Sequence, residues 1–206
     1  MKYSTKLFLA GLSFCLASFF ALSSCVSTKV SRVDSSTQTD LSGYWNDTDV
    51  RIVCDTLIKD CLESPRVKQV IAQKGRLPVI LIGRFRNDSD EHIDTSIISK
   101  TMEIAIFNSG LADFAAGGDT RTELRAERQD QQGNASEATA AALGNETGAD
   151  FLLTGSVKTI VDQERGASTR TYFVSAEMSN IENNTRLWMD QNSEIKKIIK
   201  RPGAKL

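Results

Sequence analysis

The chain has 206 residues, with 25 basic and 26 acidic side chains and a formal net charge of −1. Nothing in this mixed balance suggests nucleic acid, which favours a strongly basic patch. A single histidine, His92, excludes metal centres built on two or more imidazoles.

The first 25 residues carry the strongest local signal. Lys2 and Lys6 precede an apolar run from Leu7 to Ala21, which ends in Leu22-Ser23-Ser24-Cys25. A basic start, a short apolar core and small residues before a cut define a secretory signal. A large aliphatic residue, two small residues and a cysteine make it a lipobox, so residues 1–24 are read as a lipoprotein signal peptide. The Cys25 thiol would take a diacylglycerol, and the new N-terminus an acyl chain such as palmitate. Three acyl chains hold a protein on a membrane far better than one. The apolar run is too short and wrongly flanked to span a bilayer, and no later run is long enough.

Residues 25–40 are rich in Ser and Thr and poor in large apolar groups, so they read as a lipidated flexible tether. The length from 41 to 200 suits one domain able to bury a core, with 201–206 as a C-terminal tail. Two cysteines lie in that domain, Cys54 and Cys61, seven residues apart in one expected helix. Helical rise separates them by about 10 Å, beyond the roughly 7 Å a disulfide spans. They read as small buried hydrophobes.

Asp47, Thr48 and Asp49 offer N-caps for a helix carrying Val50, Cys54, Leu57, Ile58 and Cys61 at helical spacing. Ser64-Pro65 ends it, and a second helix runs from Pro65 to a stop at Gly75. Leu77–Phe85 is a continuous apolar run, expected as a central strand with Pro78 at its start. Arg86–Asp94 is a polar loop, and Thr95–Asn108 a buried helix stopped by Gly110. Leu111–Phe114 reads as a short strand, Thr120–Gln132 as an exposed charged helix, and Ser136–Leu143 as an Ala-rich helix. Phe151–Val161 is a strand. Tyr172, Val174, Ala176 and Met178 alternate with Thr171, Phe173, Ser175 and Glu177 in a half-buried strand, and a turn at 182–185 leads into another at Arg186–Glu194. The fold class is therefore α/β (α+β), with a single mixed, largely antiparallel sheet of about four strands packed with helices.

Catalytic chemistry finds no support. No nucleophile elbow accompanies the lone histidine, and Gly117-Gly118 lacks the Lys-Ser/Thr of a phosphate loop. Asp88, Asp90, Glu91, His92 and Asp94 form a polar cluster that matches no EF-hand spacing. It reads as a solvated loop whose Asp94 caps the next helix. The chain is expected to need no cofactor or metal and to be no enzyme. Arg165, Arg170, Arg186 and Trp188 in the C-terminal meander are a candidate partner-binding patch, since Trp and Arg dominate interface hot spots. For Trp188 itself the simpler reading is a core residue covered by a helix, since large aromatics are mostly buried.

Taken together these segments resemble the LpoB family. The resemblance is carried by Tyr44-Trp45-Asn46-Asp47-Thr48-Asp49 at a helix start, Pro78-Val79-Ile80, Gly83-Arg84-Phe85-Arg86-Asn87 and Glu91-His92-Ile93-Asp94-Thr95. Gly148-Ala149-Asp150, Leu153-Thr154-Gly155, Trp188 and Glu194-Ile195-Lys196-Lys197 complete it. It implies an outer-membrane lipoprotein facing the periplasm. Its partner would be a class A penicillin-binding protein, a bifunctional peptidoglycan synthase, stimulated without chemistry by the lipoprotein itself. Val26 after Cys25 permits outer-membrane sorting. The tether is shorter than in better-known members, reaching about 50 Å extended and about 20 Å as a coil. A structural or secretion-associated lipoprotein related to the curli-secretion fold is the alternative. It requires a long membrane-spanning hairpin, and no pair of alternating segments is free to form one.

Overall fold

The computed structural model describes residues 29–200, so Cys25, the signal segment and the 201–206 tail lie outside the described residues. The chain divides into two compact units at Thr37/Gln38. In the first, residues 29–37 form neither helix nor strand. Its one local order is a turn in which Asp34 Oδ1 accepts the Ser36 N–H at 2.8 Å.

Among the described residues, the second unit holds every helix and strand. Helix α1, Asp47–Glu63, opens on a capping box: Asn46 accepts from the Asp49 N–H, and Asp49 accepts from the Asn46 N–H. Two orphan donors are satisfied reciprocally, and so the cap is Asn46 rather than a residue from 47 to 49. Val53, Cys54, Leu57 and Cys61 form its buried face. Pro65 then redirects the chain into α2, Pro65–Lys74, which ends where Gly75 takes φ 65°. Strand β1 is Val79–Asn87. Helix α3, Ser96–Asn108, buries Ile98, Met102 and Ile106, one side chain per turn on one face. Strand β2 is Asp113–Ala115, and helix α4 is Gly118–Asn134 with no buried residue.

The helix expected over 136–143 is absent. The segment makes a single turn, with the Thr139 and Ala140 N–H groups both donating to Ser136 O. A helix this short does not offset its nucleation cost without a packed face, and nearly all of its residues are exposed.

The sheet has six strands rather than four. Strands β3, Phe151–Glu164, and β4, Ala167–Asn180, pair antiparallel along their whole length, from Glu164↔Ala167 out to Phe151↔Asn180. Strand β5, Arg186–Asn192, pairs with one half of β4, and β6, Lys196–Lys200, with the other half of the same edge. The order is β2-β1-β3-β4-β5, with β1 parallel to both its neighbours.

Alternation divides the sheet into two different faces. Phe151, Leu153 and Val157 of β3, with Tyr172, Val174, Ala176 and Met178 of β4, join Val53, Leu57, Ile98 and Met102 of the helices in one core. Position 155 faces the same core and is glycine because a Cβ there would run into the Phe85 ring and the Ser175 carbonyl oxygen. The opposite face carries Thr154, Ser156 and Lys158 beside Ser175 and Glu177. It forms a groove of about 840 Å³ lined by strand residues alone.

Candidate functional site

The four residues expected to share a patch are dispersed. Trp188 is 5% exposed and belongs to the core. Its indole N–H donates to Asp60 Oδ2 at 2.7 Å, which satisfies its one polar atom. Arg165 is exposed at the β3–β4 turn, beside Gly166 with φ 79°. Arg186 is exposed on the open face, and its Nε donates to Glu177 Oε2 at 2.8 Å on the neighbouring strand. Arg170 lies on the helix-covered face, 7% exposed. It is nine positions along β4 from Ser179, the residue opposite Arg186, or about 30 Å at strand rise. The structure therefore does not bring the four together: alternation along β4 turns Arg170 inward, and on β5 the register shift opposite Met178 and Ser179 turns Arg186 out although it has the parity of inward-facing Trp188.

Arg170 anchors a polar cluster instead. Its Nη1 donates to Asp90 Oδ1 at 2.6 Å and Glu91 Oε1 at 2.7 Å, and its guanidinium lies 5.2 Å from the centre of the Tyr44 ring. Arg170 Nε is the single buried side-chain N/O atom without a partner among the described residues. Glu91 also accepts from the Tyr172 hydroxyl and, at 2.9 Å, from the Trp45 N–H. Burial first, and then this bond to Glu91, push the Tyr172 hydroxyl well above the usual tyrosine range. Lys197 of β6 extends the cluster, reaching Asp49 at 2.7 Å, Asp40 at 3.0 Å and the Tyr44 carbonyl oxygen at 2.8 Å. Burial raises the Asp49 carboxyl against the opposing pull of Lys197. The acidic loop thus divides. Glu91 turns inward as a hub, Asp94 accepts the Ser96 N–H at 3.0 Å at the start of α3, and His92 is exposed.

The open-face groove is built differently. Arg84 and Arg86 project from β1 on either side of inward-facing Phe85, and Lys158 lies beside them on β3. Thr154, Ser156 and Ser175, with the backbone of Gly155 and Ala176 between them, give a low floor, and Glu177, Arg186, Met189 and Asp190 the far wall. Ser156 and Ser175 share a hydrogen bond of 3.1 Å across β3 and β4. Arg84 and Lys158 make no ion pair among the described residues, and Arg86 only a loose one, 3.5 Å from Asp88. The sequence reading passed over these cations. Their signal was the Arg-Phe-Arg alternation, which places two charges opposite a core aromatic.

Cys54 and Cys61 are free and buried, and burial pushes both thiols up to about 12, so neither supplies a thiolate at neutral pH. Among the described residues no group of three His, Cys, Asp or Glu side chains is placed to hold a metal. The arrangement is suited to binding.

The model of the family described as peptidoglycan-synthase activator LpoB matches residues 49–194. Solved structures similar to this chain include the LpoB C-terminal domain from Escherichia coli, at 12% identity and TM-score 0.42 over 69% of this chain and 96% of that one. Lipoprotein GNA1162 from Neisseria meningitidis is similar at 11% identity and TM-score 0.33, over 63% of this chain and 88% of its own. The PelC dodecamer from Paraburkholderia phytofirmans is similar at 11% and 0.29, over 62% and 75%. No curated protein matches. At these scores the structural likenesses carry no argument, and the assignment rests on the family model, which spans more than half the chain: this chain belongs to the LpoB family of peptidoglycan-synthase activators.

Proposed function

We propose that this chain is an envelope lipoprotein, anchored through Cys25 in the outer membrane and facing the periplasm. From there it binds a class A penicillin-binding protein and raises its rate of peptidoglycan synthesis. The observation that carries this reading is the family match over residues 49–194, nearly the whole folded unit. Membership puts the chain among regulators of peptidoglycan synthesis, and a domain that presents a groove and buried thiols without a reactive set suits that role. The anchor is supported by Leu22-Ser23-Ser24-Cys25.

The test adds residues 25–206, with Cys25→Ser to keep the protein soluble, to each purified bifunctional synthase of the bacterium and follows polymerisation of lipid-linked substrate. Faster polymerisation by one synthase, and no polymerisation by the lipoprotein alone, is the expected result. Unchanged rates with every synthase would overturn the reading. In cells, labelling with a fatty-acid analogue should mark the natural chain and not the Cys25→Ser variant.

A further inference from the structure

We infer that the open face of the sheet, along Arg84, Arg86 and Lys158, is the surface on which an acidic segment of the partner synthase docks. This rests on the function proposed above and assigns it a place.

Three observations support it. The groove is lined by strand residues alone, so none of the described helices or loops of the folded unit covers it. Its charge runs against that of the chain: four basic and two acidic side chains line it, whereas the whole chain carries −1. The cations are also available. Arg186 is neutralised by Glu177 at 2.8 Å, but among the described residues Arg84 and Lys158 make no ion pair, and Arg86 only the loose one with Asp88. Unpaired like charges side by side on a sheet are destabilising, and a carboxylate-bearing partner removes that repulsion. The occupant is a protein segment rather than a glycan because no Trp or Tyr lines the groove for a sugar ring to stack on. The floor is β3 and β4 backbone with the short side chains of Thr154, Ser156 and Ser175, low enough for a peptide backbone to approach, and Met189, 58% exposed, offers an apolar contact at the far wall. Electrostatic complementarity of this kind governs encounter rate and salt dependence.

The test compares the natural residues 25–206, carrying Cys25→Ser, with Arg84→Glu/Arg86→Glu/Lys158→Glu in the same background. Binding to the purified ectodomain of the responding synthase is measured at low and high salt. A second triple, Lys59→Glu/Arg66→Glu/Lys68→Glu, makes the same charge change on the helices. The groove variant should bind about tenfold or more weaker, with a flattened salt dependence, at an unchanged melting temperature. The helix variant should bind as the natural chain does. Equal binding by the groove variant overturns the inference and leaves the proposed function standing. A natural chain that binds no synthase overturns both. Purified sacculi or phosphatidylglycerol vesicles are the third arm. If the groove variant loses binding to either while its affinity for the synthase is unchanged, the inference is also overturned, because the groove then serves a glycan or a lipid surface.

Discussion

Glu91 holds one arginine and Glu146 two, and they hold very different amounts of structure. Glu91 has a side chain 8% exposed and joins Arg170 to the Tyr172 hydroxyl and the Trp45 backbone. Glu146 has a side chain 32% exposed and joins Arg125 at 2.8 Å and Arg128 at 2.9 Å, so that α4 is tied to the coil that follows it. The Arg125 bond, working against slight desolvation, holds the Glu146 carboxyl down at about 2. A strong pairing on the surface still contributes little, since water serves either partner almost as well. At Glu91 water has little access, and loss of the carboxylate leaves Arg170 with Asp90 alone and takes the acceptor from the Tyr172 hydroxyl and the Trp45 N–H.

The largest break is therefore expected at the buried hub. Glu91→Ala should destabilise the domain by about 3–5 kcal/mol, the range for removing one member of a buried pair, measured by denaturant unfolding. Trp188→Ala extends the comparison to a neutral group on the same covered face. Loss of the ring and of its bond to Asp60 should cost about 3–5 kcal/mol. A melting temperature unchanged by Trp188→Ala would contradict its place in the core.

An intermediate case sharpens the contrast. Asp150, 13% exposed, takes Lys74 at 2.7 Å, Arg76 at 2.8 Å and the Val79 N–H at 2.8 Å. Burial would raise its carboxyl, but the Arg76 and Lys74 partners and the Val79 N–H outweigh it and hold the group at about 2. An unfolded aspartate titrates near about 3.9. Its stabilisation is therefore full above about pH 4 and disappears as pH falls towards 2, roughly 2 kcal/mol in all. Asp150→Asn should lower stability at neutral pH and remove that component of the acid-induced loss. Parallel pH profiles for the two proteins would refute it. The smallest effect belongs to Glu146→Ala: no shift in melting temperature, with faster amide exchange confined to α4.

Much of the fold was legible because its elements follow simple periods. The faces of α1 and α3 repeat at helical spacing, and β4 alternates at every residue from Tyr172 to Met178. The same alternation, carried two residues further back, reaches Arg170 and turns it inward. Reading it as a surface arginine followed residue type where parity pointed the other way. Strand β6, Lys-Lys-Ile-Ile-Lys, escaped notice because it is short, lysine-rich and at an edge, where charge protects against unwanted pairing. Its existence depends on β4 being long enough to hold two partners on one side. Glu91 left no local trace at all. Its partners come from residues 45, 170 and 172, and only tertiary structure brings a loop carboxylate to them.

The length of the β3–β4 hairpin bears on how the chain finds its fold. A two-residue turn at Arg165-Gly166 lets the pairs from Glu164↔Ala167 to Phe151↔Asn180 close one after another, with almost no loop entropy at each step. The parallel pairing of β1 with β3 joins Ile80 to Phe151 across α3, β2 and α4 and must wait for that long closure. The hairpin is thus the expected nucleus, with the helices and β1 condensing on it afterwards. Truncation of Val174 should slow folding, and truncation of Ile80 should mainly speed unfolding. The reverse pattern in a chevron analysis would place the nucleus at the parallel edge. A hairpin-first route also explains how the exposed 116–149 excursion is accommodated: its length adds to the cost of a late closure and leaves the nucleating step untouched.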